Sequence, residues 1–156
     1  MAGRDDLAND LANDPAGDLL ALLLRIGDDH LILGHRLSEW CGHAPMLEED
    51  LALPNMALDL IGTARMCYGY AAEIEGDGRG EDDYAFLRDG TDFRHMLMVE
   101  RPNGDFAFTI LRQFLFAAWM HPVWDGLTHA ADARPADHAG KAVKEMAYHV
   151  RHGAAG

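Results

Sequence analysis

The chain is short of lysine, cysteine and long apolar runs, and each shortage excludes something. Of 156 residues only Lys141 and Lys144 are lysines; the remaining basic groups are arginines, and 26 acidic residues leave a formal net charge of −13. A protein that binds a nucleic-acid backbone needs clustered cations to displace counterions, so nucleic acid is not an expected partner. Cys41 and Cys67 are too few for a disulfide framework and read as two small buried hydrophobes in a reduced compartment. The apolar run Leu19–Leu24 is bracketed by Asp18 and Arg25, far short of the ~20 residues a membrane span requires. An acidic leader precedes it, which does not suit a signal peptide. A cytoplasmic protein that binds no membrane is expected. Gly76, Gly78 and Gly80 alternate in an acidic stretch that would repel phosphate, and no Ser-His-Asp or Cys-His arrangement has a motif around it.

What is present is acid in two patches and a strongly apolar remainder. Residues 1–18 and 73–92 carry most of the excess negative charge, so the acidity belongs to a leader and a loop. Residues 1–17, with the tandem Leu7-Ala8-Asn9-Asp10 and Leu11-Ala12-Asn13-Asp14, read as a disordered leader, and 18–156 as one helical domain. With 49% hydrophobic residues, a chain of this length can bury roughly 70% of its unfolded surface.

From Asp18, a plausible N-cap, the residues Leu19, Leu23, Ile26, His30, Leu33, Leu37 and Trp40 recur at helical spacing. That helix ends in Cys41-Gly-His-Ala-Pro45. Glu48, Glu49 and Asp50 suit the start of a second helix. Met56, Leu60, Thr63, Cys67 and Tyr70 mark its face, with Pro54 as either a kink or a break. A flexible acidic loop over 75–83, a short helix over Tyr84–Arg88 and an irregular apolar run over Phe93–Val99 follow. Asp105 can cap a third helix from Phe106 to about Met120, apolar on every side, which must be central or covered. A loop through Pro122 and Pro135 precedes a last helix over Ala136–His152. The fold class is all-α, a bundle of four main helices.

Histidines and carboxylates on such helices raise the di-iron carboxylate architecture, which requires a Glu from each of two helices and a Glu-x-x-His pair from each of the others. No Glu-x-x-His occurs; Glu145 and His149 are one residue too far apart, and residues 106–124 contain no acid. His30 on the apolar stripe is expected to be a core imidazole bonded to a carbonyl. His149 and His152 sit where a solvated helix end is expected, and the other histidines carry no pattern.

The segments Arg36-Leu-Ser-Glu-Trp-Cys-Gly-His-Ala-Pro45, Leu47-Glu-Glu-Asp50, Ala57-Leu-Asp-Leu-Ile-Gly62, Asp83-Tyr-Ala-Phe-Leu-Arg-Asp89, Pro102-Asn-Gly-Asp-Phe106, Arg112-Gln-Phe-Leu-Phe116 and Lys144-Glu-Met-Ala-Tyr-His-Val-Arg-His152 resemble the C subunits of the multicomponent phenylacetyl-CoA epoxidases, from about residue 18 onward. The resemblance implies a ferritin-like structural subunit that is not itself catalytic. It also implies a related A subunit that carries the di-iron centre and binds the CoA thioester, with an accessory B subunit and a flavin and iron–sulfur reductase. No cofactor and no metal are expected in this chain. Set against the A-subunit ligand pattern, the degenerate former di-iron positions fall at His30, Leu60, Thr63, Met146 and His149. Leu60 and Met146 stand for carboxylates and Thr63 for an imidazole. Asp59 and Glu145 cannot substitute, because one residue along a helix turns a side chain by about 100°.

Members of that family continue with further C-terminal helices, so the chain resembles roughly the first three-fifths of one. The apolar third helix is then expected to be partly uncovered, with Phe106, Ile110, Phe114 and Trp119 as candidate partner-packing residues. Two other readings stand beside this one. The first is a standalone metal-carboxylate oxidoreductase using Glu39, Asp59, Glu145 and His149; the second is a helical module holding a small apolar ligand.

Overall fold

A computed structural model describes residues 14–155; the disordered-leader expectation for residues 1–13 lies outside the described residues. Four long helices and three short helical turns follow in order: α1 Pro15–Ser38, α2 Leu47–Glu75, α3 Glu81–Phe86, a 3-10 turn Gly90–Asp92, α4 Leu97–Glu100, α5 Phe106–Leu127 and α6 Ala133–Ala155. The described residues are all-α, in a ferritin-like bundle.

Several boundaries correct the sequence expectations. α1 starts at Pro15 rather than Asp18: Asp14 accepts a hydrogen bond from the Gly17 N–H at 3.0 Å, and proline at the first helical position already suits the helix. The folded part therefore begins before residue 18. α2 runs unbroken through Pro54, which lies near its start, where the ring removes a single helical bond. Likewise Pro122 does not end α5, which continues to Leu127, and α6 starts at Ala133 with Pro135 in its first turn. The short helix lies at Glu81–Phe86, not Tyr84–Arg88, and residues 75 and 81–83 of the expected loop are helical. Cys67 is buried as expected, whereas Cys41, in the turn after α1, is exposed.

α1 and α2 form one antiparallel hairpin. Gly27 and Gly34 let them approach closely, since a Cβ at Gly27 would come within 2.8 Å of the Tyr68 ring and one at Gly34 within 3.3 Å of the Ala57 carbonyl. α5 and α6 form the second, with Gly153 pressed against Phe114. His30 of α1 and Trp40 in the turn after it pack on Phe116, Trp124 and Phe106 of α5, while Thr63 and Asp59 of α2 bond to His138 and His149 of α6. α1 and α6 are therefore diagonal, and α2 and α5 run parallel on the other diagonal. A parallel diagonal needs a connection that spans the bundle, and residues 76–105 supply it.

Two adjacent carboxylates on α1 fasten that crossover. Asp28, fully buried, accepts from the Tyr68 hydroxyl (2.6 Å), the Arg88 guanidinium (2.5 Å) and the Arg94 N–H (2.7 Å); Asp29 accepts from the Met96 N–H (2.6 Å). Farther along, Arg36 donates to the Glu100 carbonyl at 2.7 Å and Asn103 to the Arg36 carbonyl at 2.7 Å. Removing either partner of a buried pair such as Asp28–Arg88 strands a charge away from water and is strongly destabilising.

α5 departs from the expectation of a helix without a polar face in an unusual direction. It turns Thr109, Arg112 and Gln113 inward and leaves Phe108, Leu111, Leu115 and Trp119 outward. The terminal nitrogens of the Arg112 guanidinium donate to the Arg101 carbonyl (2.7 Å) and to Asn103 (2.5 Å), while its Nε meets no partner.

Candidate functional site

The five positions that the resemblance marks as former ligand sites lie in the middle of the bundle, all buried: His30 on α1, Leu60 and Thr63 on α2, Met146 and His149 on α6. Each side chain is there because its helix turns an inward face to the core, with Leu33, Met56, Ala64, Phe116, Met120 and Ala142 among the apolar neighbours.

The imidazoles are held by bonds that fix their tautomers. His30 Nδ1–H donates to the Ile26 carbonyl at 2.7 Å, the carbonyl bond expected from sequence, which leaves Nε2 as a lone pair that no protein donor meets. The ring also stands edge-on to Phe116 and Trp124, with centroids 5.2 and 5.9 Å away. His149 donates from Nε2 to Asp59 at 3.0 Å and accepts at Nδ1 from Gln113 at 3.0 Å. A third histidine joins them: His138 Nε2 lies 3.1 Å from Thr63 Oγ1, with its ring on Trp124 at 5.5 Å.

Burial governs the charge states. It lowers His30 from 6.5 to about 4, helped by the nearby imidazoles of His138 and His149 and opposed by the Ile26 bond. It lowers His149 too, against the pull of Asp59, and lowers His138 with help from Lys141. All three rings are neutral near pH 7. Glu145 is raised, first by burial and also by Asp59, while its bond to Lys141 acts the other way.

This arrangement does not fit a two-metal carboxylate centre. Both nitrogens of His149 and the Nε2 of His138 are committed to protein partners, and Leu60 and Met146 offer no donor. Among the described residues no three His, Cys, Asp or Glu side chains are placed to hold a metal ion. The standalone metalloenzyme set is also split: Asp59 reaches His149, but Glu39 sits at the far end of α1, exposed and bonded to Arg36 (2.9 Å) and Asn103 (2.9 Å).

The candidate packing residues divide between two faces. Phe106, Ile110 and Phe114 line a groove with Glu49, His152 and Gly153; Ile110 is only 9% exposed and belongs to the core edge. Trp119 is 63% exposed, on the outer face with Leu111 and Leu115. His152 is not a solvated terminus, since it pairs with Glu49 at 2.8 Å.

Sequence reasoning missed His138, Gln113 and the Asp59–His149 bond. The four-residue spacings 138–142–146 and 109–113–117 were the available signal, and they point inward only once the registers of α5 and α6 are fixed.

A helical bundle with its central positions filled by Leu, Met and neutral imidazoles has known relatives. The family described as phenylacetic acid catabolic protein matches residues 6–155, and the chain belongs to that family. The match reaches upstream of residue 18, where the sequence resemblance set in. The chain is also 50% identical over 133 residues to the C subunit of the 1,2-phenylacetyl-CoA epoxidase of Escherichia coli (strain K12), covering 85% of this chain and 53% of that protein. It thus spans about half the length of this curated relative. No helix among the described residues is long and apolar enough to cross a membrane.

Proposed function

We propose that the chain acts as the structural, non-catalytic C subunit of a multicomponent phenylacetyl-CoA 1,2-epoxidase in aerobic phenylacetate degradation, supporting a catalytic A subunit that holds the di-iron centre. The observation that supports this is the centre of the bundle, where buried Leu60 and Met146 stand at positions that the resemblance marks for carboxylates and the nitrogens of His149 are already bonded within the protein. Such a centre can pack but cannot bridge two irons. The likeness to the C subunit of an epoxidase supports the assignment to this complex. The accessory B subunit and the reductase are its further partners, in the cytoplasm.

The outward apolar stripe of α5, Phe108, Leu111, Leu115 and Trp119, is the proposed packing face, an exposed patch of a kind that marks interfaces. Phe106, Ile110 and Phe114 act from the groove beside it. Co-expression with a di-iron A subunit followed by size-exclusion chromatography tests the proposal: one co-eluting peak, with iron found only in the A subunit, is expected. Two separate peaks, or two irons per molecule of this chain alone, would refute it.

A further inference from the structure

In a chain with twice as many acids as bases, most arginines are expected to find a partner, and most do. Among the described residues Arg36, Arg65, Arg79, Arg88 and Arg134 each pair with a carboxylate, and Arg112 donates to a carbonyl and an amide oxygen. Among the described residues the side chains of Arg25, Arg94, Arg101 and Arg151 have no such partner, and the first two line the same groove, of about 470 Å³. Its other walls are Gly17, Leu20, Ala21 and Leu24, one face of the first half of α1.

The placement of Arg94 is fixed by the bundle itself. Its backbone N–H donates to buried Asp28 and, two residues on, the Met96 N–H donates to Asp29, so the crossover is pinned beside α1 at this level. Asp29, one turn along α1, feels the charge of Arg25, but its Oδ1 is taken by Met96 and it forms no ion pair with Arg25. From Gly17 to Arg25 the apolar strip runs roughly 12 Å along the helix. Cations at one end of an apolar strip, with no ion pair among the described residues, match a ligand of the same polarity. Guanidinium forks take carboxylate or phosphate oxygens in pairs, and their stems extend the apolar wall.

We infer that the groove between α1 and the crossover binds a small amphipathic anion, its carboxylate or phosphate head on Arg25 and Arg94 and its apolar body along Leu20, Ala21 and Leu24. This goes beyond the proposed epoxidase role and does not depend on it.

Titration of the full chain with octanoate, octyl phosphate and octanol, followed by amide NMR, tests the inference. Saturable shifts centred on Leu20, Ala21 and Leu24 are expected with at least one of the two anions, and the tighter of them identifies the head group. Octanol, lacking the charge, and an Arg25→Ser/Arg94→Ser double variant should each bind about tenfold more weakly or worse, the equivalent of one lost charge-assisted contact. Both arginines are exposed, so the double variant keeps its fold, which an unchanged melting temperature verifies. Arg101→Ser, outside the groove, should leave binding unaltered. No saturable shift with either anion, octanol binding as tightly as the anions, or equal weakening by Arg101→Ser overturns the inference.

Discussion

His30 offers the sharpest quantitative test of the bundle centre, through the replacement His30→Leu. The imidazole is wholly buried on α1, and burial together with two neighbouring imidazoles lowers its pKa from 6.5 to about 4. A group whose folded pKa lies below its unfolded value is protonated first in the unfolded chain. Its contribution is therefore fully present at neutral pH and is lost as pH falls from 6.5 towards 4. Proton linkage with those two values, taken from about pH 7 to about pH 5, removes about 2 kcal/mol of stability. Leucine cannot take up the proton, so this loss is absent from the variant. Whatever His30→Leu costs at neutral pH through altered packing, the variant should gain about 2 kcal/mol relative to the parent at the lower pH. Urea unfolding followed by circular dichroism at both pH values measures the difference, and groups common to both proteins, such as Asp29 and Glu145, cancel in the comparison. If the two proteins lose stability in parallel on acidification, the ring is not held neutral by burial and the account of the centre fails.

Three further outcomes follow from the structure. Asp28→Asn leaves the Arg88 guanidinium without its buried carboxylate and should cost about 3–5 kcal/mol, with faster hydrogen exchange at the Arg94 amide as the crossover loosens; a change under 1 kcal/mol would contradict the fastening role. Asp29→Asn keeps an acceptor for the Met96 N–H while removing a carboxylate whose pKa burial raises to about 6. A carboxyl raised on folding destabilises the folded chain above that pH, so the variant should melt higher under alkaline conditions by the equivalent of about 1–2 kcal/mol. The advantage should shrink as pH falls below about 6 and vanish only near 3.8, and a variant less stable at every pH would refute it. Trp119→Ser, at a position 63% exposed, should change stability by no more than about 0.5 kcal/mol yet weaken co-elution with the A subunit; unimpaired co-elution would move the interface elsewhere.

The helical class and the start of α2 were legible because they rest on local signals: periodic Leu and Ile along α1, and Glu48-Glu49-Asp50 at a helix N-terminus. The three prolines were misleading. Pro54 and Pro122 each forfeit a backbone bond that packing of residues beyond them, such as buried Trp124, outweighs, and Pro135, in the first turn of α6, forfeits none. His30 was legible as a carbonyl-bonded core imidazole because its bond is to the carbonyl four residues earlier in its own helix. His138 was not, because its partner Thr63 lies 75 residues away. The role of Asp28 was hidden for the same reason, its partners lying 40 to 66 residues distant.

The proposed role also accounts for histidines at a centre where Leu60 and Met146 fill the positions that the resemblance marks for carboxylates. An unmetallated pair of buried carboxylates would repel each other and cost several kcal/mol each to desolvate, so a bundle that must stand without iron gains by placing Leu60 and Met146 there. A buried imidazole carries no such penalty while neutral, and the lowered pKa values of His30 and His149 keep both neutral at physiological pH. His149 has further become a structural link, joining Asp59 of α2 to Gln113 of α5 across the face of α6. One side chain thereby ties three helices together without any ion. A centre that is rigid without a cofactor can present α5 to a partner in a single geometry, which is what supporting a catalytic subunit requires.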